Sequence, residues 1–198
     1  MKKFKANDNK NEEHEINYRQ FNKKLELLNQ ILSLISDINQ ASDEKEVKDC
    51  IPALLQYTGE YTDADRVYIF ELLSEKQDYY SNTFEWCREG IIPQIDNLIR
   101  ISADSMPVWH KKFLCGETII IHDLEKIRET MPSEYDILKV QDIHSLLVLP
   151  LFANTQLSGF IGLDNPELVN PGVSISLLSN AGGHLASTLN NLRMFRML

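Results

Sequence analysis

The sequence lacks the features that mark membrane, secreted and nucleic-acid-binding proteins. Its longest apolar run is the eight residues Leu146 to Ala153, whereas a helix that crosses a bilayer needs about 20. The first residues are basic but lead into no apolar segment, so the pattern predicts no secretory signal. Lys and Arg number 20 against 29 Asp and Glu, a net charge of −9, which gives no basic footprint for nucleic acid. We therefore expect a cytoplasmic protein with no nucleic-acid or membrane partner.

Cysteine is also scarce. The three cysteines, Cys50, Cys87 and Cys115, are odd in number and far apart, so they predict neither a disulfide framework nor a CxxC metal knuckle. His122 and His144 stand outside any HxxxH or HExxH spacing. The sequence accordingly predicts no metal site.

What remains is the composition of one compact domain with flanking segments, since 43% of the 198 residues are apolar. Residues 1–13 are polar and predict a flexible tail. Residues 14–40 predict a signalling or dimerisation helix, and residues 43–190 the domain itself. A final helix over 171–198 would continue toward an output domain outside this chain.

The N-terminal helix carries two apolar stripes. The first follows the alternating three- and four-residue steps of a coiled-coil seam and consists of Tyr18, Phe21, Leu25, Leu28, Leu32 and Ile35. The second stripe lies beside it and consists of Leu27, Ile31, Leu34 and Ile38. One stripe would pack on the domain, and the other would form a parallel homodimer together with the C-terminal helix. The alternative is one broad face buried within a single chain.

The period changes to that of strands after Asp65. Two hairpins are expected, the first around a polar turn at residues 74–78 and the second around Asn154, with a helical crossover between them. This order predicts an α+β fold: an antiparallel sheet of five to six strands, with the N- and C-terminal helices on one face. The crossover over residues 98–142 would form a roof of helices and loops on the other face. A loosely built roof leaves a hollow in which a small ligand can sit.

Six segments together resemble the GAF domain, a small-molecule-sensing fold found beside signalling output domains. They are residues 62–71, 81–87, 89–96, 116–123, 147–151 and 157–164. The segments are most similar to bacterial versions attached to diguanylate cyclases and sensor kinases. The resemblance implies a non-catalytic sensory module that binds a small molecule and transmits its state through a helical dimer interface. Any enzymatic output would then lie outside this chain.

Aromatic residues and one histidine are the candidates for lining the hollow, because rings offer stacking area and a polar group for orientation. They are Tyr68, Phe84, Trp86, Trp109, Phe113 and His122. The alternative for the aromatic residues is plain core packing, and for His122 a structural or exposed position.

Other chemistries known in such domains match less well. Bilin attachment uses a cysteine that is typically followed by histidine, whereas Arg88 follows Cys87 and Gly116 follows Cys115. Cys115-Gly116 resembles part of the GAF-type free-methionine sulfoxide reductase, but residues 119–145 contain no second cysteine. Phe160 and Asp164 have the Phe-x3-Asp spacing of a cyclic-nucleotide signature without its other residues. The alternatives to a sensor are thus a dimerisation module without ligand and, less favoured, that reductase.

Overall fold

The computed structural model describes residues 2–73, 79–167 and 171–196. These residues form five α-helices and six strands, with short 3-10 turns at Ala103–Ser105 and Leu124–Ile127. The helices are α1 (Lys2–Gln40), α2 (Glu44–Thr62), α3 (Pro107–Leu114), α4 (Pro132–Lys139) and α5 (Pro171–Arg196). The strands are β1 (Arg66–Leu72), β2 (Tyr79–Cys87), β3 (Ile101–Ser102), β4 (Ile119–Ile121), β5 (Leu146–Ala153) and β6 (Gln156–Asp164).

The strands form one antiparallel sheet in the order β3-β2-β1-β6-β5-β4. The β5–β6 hairpin turns at Asn154 and Thr155, whose φ angles of 50° and 74° give a twist that matches the flanking strands. This sheet, with helices at both chain ends, confirms the predicted α+β class and strand number.

Helices α1, α2 and α5 cover one face of the sheet, here called the helix face. Its buried core is aliphatic and joins Ile31 and Ile38 of α1, Leu54 of α2, Leu178 of α5 and Ile161 of β6 in one cluster. The second α1 stripe supplies this contact, because Leu27, Ile31 and Ile38 are buried.

The segments between β2 and β5 cover the other face, here called the roof face. Trp109 and Phe113 of α3 and Leu138 of α4 pack there on Tyr68 and Phe160 of the sheet. The roof predicted from the crossover is therefore present, and strand β5 is covered on both faces.

The terminal segments differ from expectation in extent. α1 begins at Lys2, so the backbone of residues 2–13, where we expected a flexible tail, is helical. Extending an existing helix fixes one residue at a time, which is easier than starting one, and the lysines and glutamates there favour helix. The polar turn expected at residues 74–78 and the last residues of the chain, 197–198, lie outside the described residues.

Helix α2 passes close to strand β2. Asp43 caps the helix by accepting hydrogen bonds from the N–H groups of Lys45 and Glu46, and the helix continues to Thr62. Gly59 lies inside the helix, where a Cβ would meet the Trp86 ring at 2.0 Å. The glycine is therefore required by the approach of α2 to β2 rather than by a helix end.

Within the described residues, no helix has both the length and the apolar character that crossing a bilayer requires.

Candidate functional site

A cavity of about 40 Å³ lies between the roof and strands β1, β2 and β6. Aromatic and aliphatic side chains form most of its wall, and five charged or amide side chains also reach it: Arg66, Asn82, Glu85, Gln141 and Asp164. Since one water molecule needs roughly 10–15 Å³ of such space, this volume holds about three water molecules.

An ion pair lies where β1 begins and β6 ends, and it forms the charged part of the cavity wall. Arg66 and Asp164 are register partners across the two strands, and Arg66 Nη1 donates to Asp164 Oδ2 at 2.8 Å. The Tyr68 hydroxyl donates to Asp164 Oδ1 at 2.9 Å. Tyr68 lies opposite Gly162, where a Cβ would sit 2.3 Å from its ring. The glycine therefore leaves the space in which this ring lies.

Burial is the largest cause of the pKa shifts of Asp164 and Tyr68. It raises the pKa of Asp164 from 3.8 to about 7, although Arg66 and Tyr68 both favour the carboxylate. Burial also raises the pKa of the Tyr68 hydroxyl well above its ordinary value, and the charge of Asp164 adds to this effect. The tyrosine therefore stays a hydrogen-bond donor at any physiological pH.

Three buried polar atoms that belong to lining residues of this cavity have no hydrogen-bond partner among the described residues: Arg66 Nε, Asn82 Oδ1 and Trp109 Nε1. All three residues are at most 5% exposed. Asn82 Nδ2 donates to Glu85 Oε1 at 3.1 Å, which fixes the amide so that its oxygen is the unpaired atom. A buried polar atom without a hydrogen-bond partner costs about 1–3 kcal/mol of stability. A polar ligand that paired with these atoms would remove that cost.

The roof helix that carries Trp109 is held by a carboxylate from α4. Helix α3 lacks a side-chain cap of its own, and Glu134 Oε1 instead accepts from the N–H groups of Val108 and Trp109 at 2.8 and 3.1 Å. Glu134 is itself buried, at 1% exposure. One carboxylate thus joins the two roof helices and fixes the backbone that carries Trp109.

A second, larger cavity of about 230 Å³ adjoins the first, here called the outer cavity. Both are lined by Arg66, Gln141, Ile143 and Asp164. The Gln141 side chain donates to the Ile137 carbonyl at 2.8 Å, and its Oε1 lies 3.5 Å from Arg66 Nη1, a long contact. Gln141 therefore stands where the two cavities meet, held by one good hydrogen bond.

The candidate residues predicted from sequence are divided by the structure. Tyr68 and Trp109 line the cavity under the roof. Phe113 is fully buried in the same core, 5.0 Å from Phe160 between ring centroids, but lies outside the cavity lining. His122 is exposed and follows the edge strand β4.

Phe84 and Trp86 lie on the helix face instead, packed against its core. The cause is a β-bulge: Ile69 pairs with Phe84 and Phe70 pairs with Asn82, so Thr83 is an extra residue in β2. The extra residue reverses the alternation of side chains after it. Glu85, rather than its aromatic neighbours, consequently reaches the roof.

Arg66, Asn82, Glu85 and Asp164 are the site residues that sequence reasoning missed. The usable signal was a charged residue at the end of a predominantly apolar strand, which holds for Arg66 and Asp164. Their partnership joins positions 98 residues apart and is set by strand register, which spacing along the chain does not reveal.

Of the three cysteines, Cys87 adjoins the site as the register partner of Arg66, whereas the other two lie on other elements. Cys115 is exposed at the end of α3, and Cys50 belongs to α2. Burial raises the pKa of the Cys87 thiol to about 11, so it is protonated and a poor nucleophile at neutral pH. Within the described residues, no group of three or more His, Cys, Asp or Glu side chains is arranged to hold a metal ion.

Comparison with known proteins gives consistent matches. The sequence model of the GAF domain matches residues 46–175. A relative, the methanogenesis regulatory histidine kinase FilI of Methanothrix harundinacea (strain 6Ac), is 32% identical over 146 residues, which are 71% of this chain and 16% of the kinase. The chain thus spans about a sixth of the length of that relative.

Solved structures match at low identity and show the fold. The phycoerythrobilin-bound GAF domain of a cyanobacterial phytochrome has a TM-score of 0.66 at 16% identity, covering 86% of this chain and 97% of that one. The GAF domain of an Acinetobacter phosphoenolpyruvate-protein phosphotransferase has a TM-score of 0.62 at 13% identity, covering 84% and 94%.

Proposed function

Because the chain belongs to the GAF domain family, we propose that it is a non-catalytic sensory domain that binds a small molecule under its roof and passes the change to its terminal helices. The observation that carries the proposal is the cavity with three unpaired buried polar atoms, from Arg66, Asn82 and Trp109. Atoms left unpaired in this way are a cost to the free domain that a ligand would remove.

The size of the cavity limits the ligand. Sites for drug-sized molecules usually measure about 300–1,000 Å³, far above the 40 Å³ under this roof. A bilin, as bound in the phytochrome neighbour, therefore does not fit this arrangement of the roof. The ligand is either very small or extends past Gln141 into the outer cavity.

A route from the site to α5 supports transmission. Asn165 follows β6 and holds the loop after α4, since its Oδ1 accepts from the N–H groups of His144 and Ser145 and its Nδ2 donates to the Asp142 carbonyl. That loop leads into β5, whose Leu151 packs against α5 where Gly182 leaves room. A ligand that moves Gln141 would thus act on a segment attached to α5, and a coupling of about 1–3 kcal/mol is enough to regulate.

The first α1 stripe is the surface we propose for a parallel homodimer. Tyr18, Phe21, Leu25 and Leu32 are between 47% and 67% exposed in the single chain. Exposed apolar residues at heptad spacing are typical of a helix that pairs with a second helix. Leu28 is half-buried and Ile35 is buried against the domain, so the seam we propose is carried mainly by the other four residues.

A dimerisation domain that binds no ligand is the second candidate, and the small volume of the cavity favours it. A thermal-shift screen of metabolites followed by calorimetry separates the two. A sensor gives at least one compound that raises Tm. At a ligand concentration a hundredfold above Kd, the free energy of unfolding increases by about 2.7 kcal/mol. Asn82→Leu should abolish that shift. A library without effect, or hits that Asn82→Leu leaves unchanged, would reject ligand sensing at this site.

The dimer is tested separately by sedimentation. Phe21→Asp together with Leu25→Asp should give a monomer because each places a charge in the seam. Asn22→Asp, on an exposed neighbour of the same helix, is the matched control and should stay dimeric. A monomeric wild type, or a double variant that stays dimeric, would rule out this seam.

A further inference from the structure

We propose that the group recognised under the roof is an uncharged amide, such as a carboxamide, lactam or ureido group, with the rest of the ligand extending into the outer cavity. This inference rests on the proposed function and specifies its ligand class. It follows from the direction of the unpaired hydrogen bonds, the charge of the lining and the volume available.

The unpaired atoms define a pattern of two donors and one acceptor. Arg66 Nε and Trp109 Nε1 carry N–H groups that require an acceptor, and Asn82 Oδ1 requires a donor. An amide carbonyl oxygen has two lone pairs for the two N–H groups, and an amide N–H can donate to Asn82. An amide therefore offers a hydrogen-bond partner to each of the three atoms within one planar group.

The charge of the lining excludes the common alternatives. Glu85 and Asp164 line the cavity with two carboxyl groups, whereas Arg66 is the single cationic residue in its lining. Burial raises the pKa of Asp164 to about 7, so further negative charge is resisted there. A ligand carboxylate would also face the Asn82 oxygen without a proton to offer. An ammonium group, conversely, has no lone pair for the two N–H donors.

Volume and precedent within the molecule distinguish an amide from a hydroxyl. The cavity has room for about three water molecules, so it accommodates the N, C and O of an amide, whereas one hydroxyl oxygen would leave more of it empty. The side-chain amide of Gln141 already presents its oxygen to Arg66 Nη1, at a long 3.5 Å. A ligand amide held by Arg66 Nε and Trp109 Nε1 would crowd this weakly held side chain and displace Gln141 toward the outer cavity.

Four small probes test this assignment by protein-observed NMR: 2-pyrrolidone, γ-butyrolactone, cyclopentanol and butyrate. The lactone has the shape of the lactam but lacks its N–H. The readout is the indole N–H resonance of Trp109, assigned by its persistence in Trp86→Phe. We expect 2-pyrrolidone to shift it with a Kd of about millimolar. γ-Butyrolactone and butyrate should each bind about tenfold more weakly because they have no proton for Asn82. Cyclopentanol should also bind about tenfold more weakly because its single oxygen fills less of the cavity.

Asn82→Leu supplies the matched variant, because it removes the partner of the lactam N–H. The preference for 2-pyrrolidone over γ-butyrolactone should then fall from about tenfold to about one. If that variant lacks a native near-ultraviolet circular dichroism spectrum, Asn82→Ala takes its place.

Two results would overturn the amide assignment. The first is a lactone, alcohol or carboxylate that binds within twofold of the lactam, and the second is no shift of Trp109 with any probe, as for a cavity that holds water only. Neither result decides the sensory function. A library compound without an amide that Asn82→Leu blocks would keep the sensor and reject the amide.

Discussion

The two faces of the sheet carry cores of different chemistry. The buried core of the helix face consists of Ile, Leu, Val and Ala side chains, with Phe84 and Trp86 packed at its margin, whereas the buried core of the roof face is rich in aromatic rings and adjoins the Arg66–Asp164 pair. All four buried side-chain atoms that lack a partner in the described part of the chain belong to roof-face residues or to the roof itself: Arg66, Asn82, Trp109 and Glu134. One face of the sheet thus has an apolar buried core, and the other has buried polar atoms that lack a hydrogen-bond partner.

This contrast supports the proposed location of a ligand site under the roof. Unpaired polar atoms are rare in protein interiors, and each normally has a specific cause such as a bound ligand or water. Their confinement to one face is what the proposed ligand site under the roof would require.

The largest effect is expected from breaking the buried ion pair. Asp164→Leu leaves the Arg66 charge buried without a partner, which should lower the free energy of unfolding by about 3–5 kcal/mol at a pH near 8. Replacing both residues, Arg66→Met with Asp164→Leu, should recover most of that loss. Urea unfolding of the two variants and the wild type checks this. A double variant as unstable as the single one would contradict it.

The pH dependence of stability is expected to come next in size. The unfolded chain releases the Asp164 proton near pH 4, whereas the folded domain keeps it until about pH 7. The folded state therefore binds more protons in this window, and its stability falls as the pH rises from about 4 to about 7, then levels off.

Asp164→Asn is the control for this titration, because it cannot ionise at that position. Urea unfolding across the window should give a smaller fall for the variant than for the wild type. Equal slopes would show that other groups cause the dependence.

The sequence was sufficient for the fold because hydrophobic periodicity records which face of each element is buried. The two stripes of α1 and the β5–β6 hairpin were predicted in this way, and Leu27, Ile31 and Ile38 are indeed buried against the domain. The site was less accessible. A single extra residue, Thr83, turned Phe84 and Trp86 away from the roof, and no local pattern announces such a bulge.

A smaller effect is expected from the same methyl deletion on each face. Ile161→Val, in the helix-face core, should cost about 1 kcal/mol. Ile143→Val, at the roof cavity, should cost about half as much, because a methyl group that borders an existing void loses fewer contacts. Paired urea titrations measure both values. Equal costs would indicate that the roof face is packed as tightly as the helix face.

The smallest effect on stability, and the most informative about function, is expected at Asn82. Asn82→Leu loses one hydrogen bond to Glu85 but also removes an oxygen that has no partner, and these changes of about 1 kcal/mol each oppose one another. Thr58→Val on the helix face is the reference, since its hydroxyl donates to the Leu54 carbonyl and is fully paired. We expect Thr58→Val to cost about 1 kcal/mol and Asn82→Leu about none. If Asn82→Leu abolishes ligand binding without loss of stability, Asn82 serves binding and not folding. A cost at Asn82 as large as that at Thr58 would instead assign it to the fold.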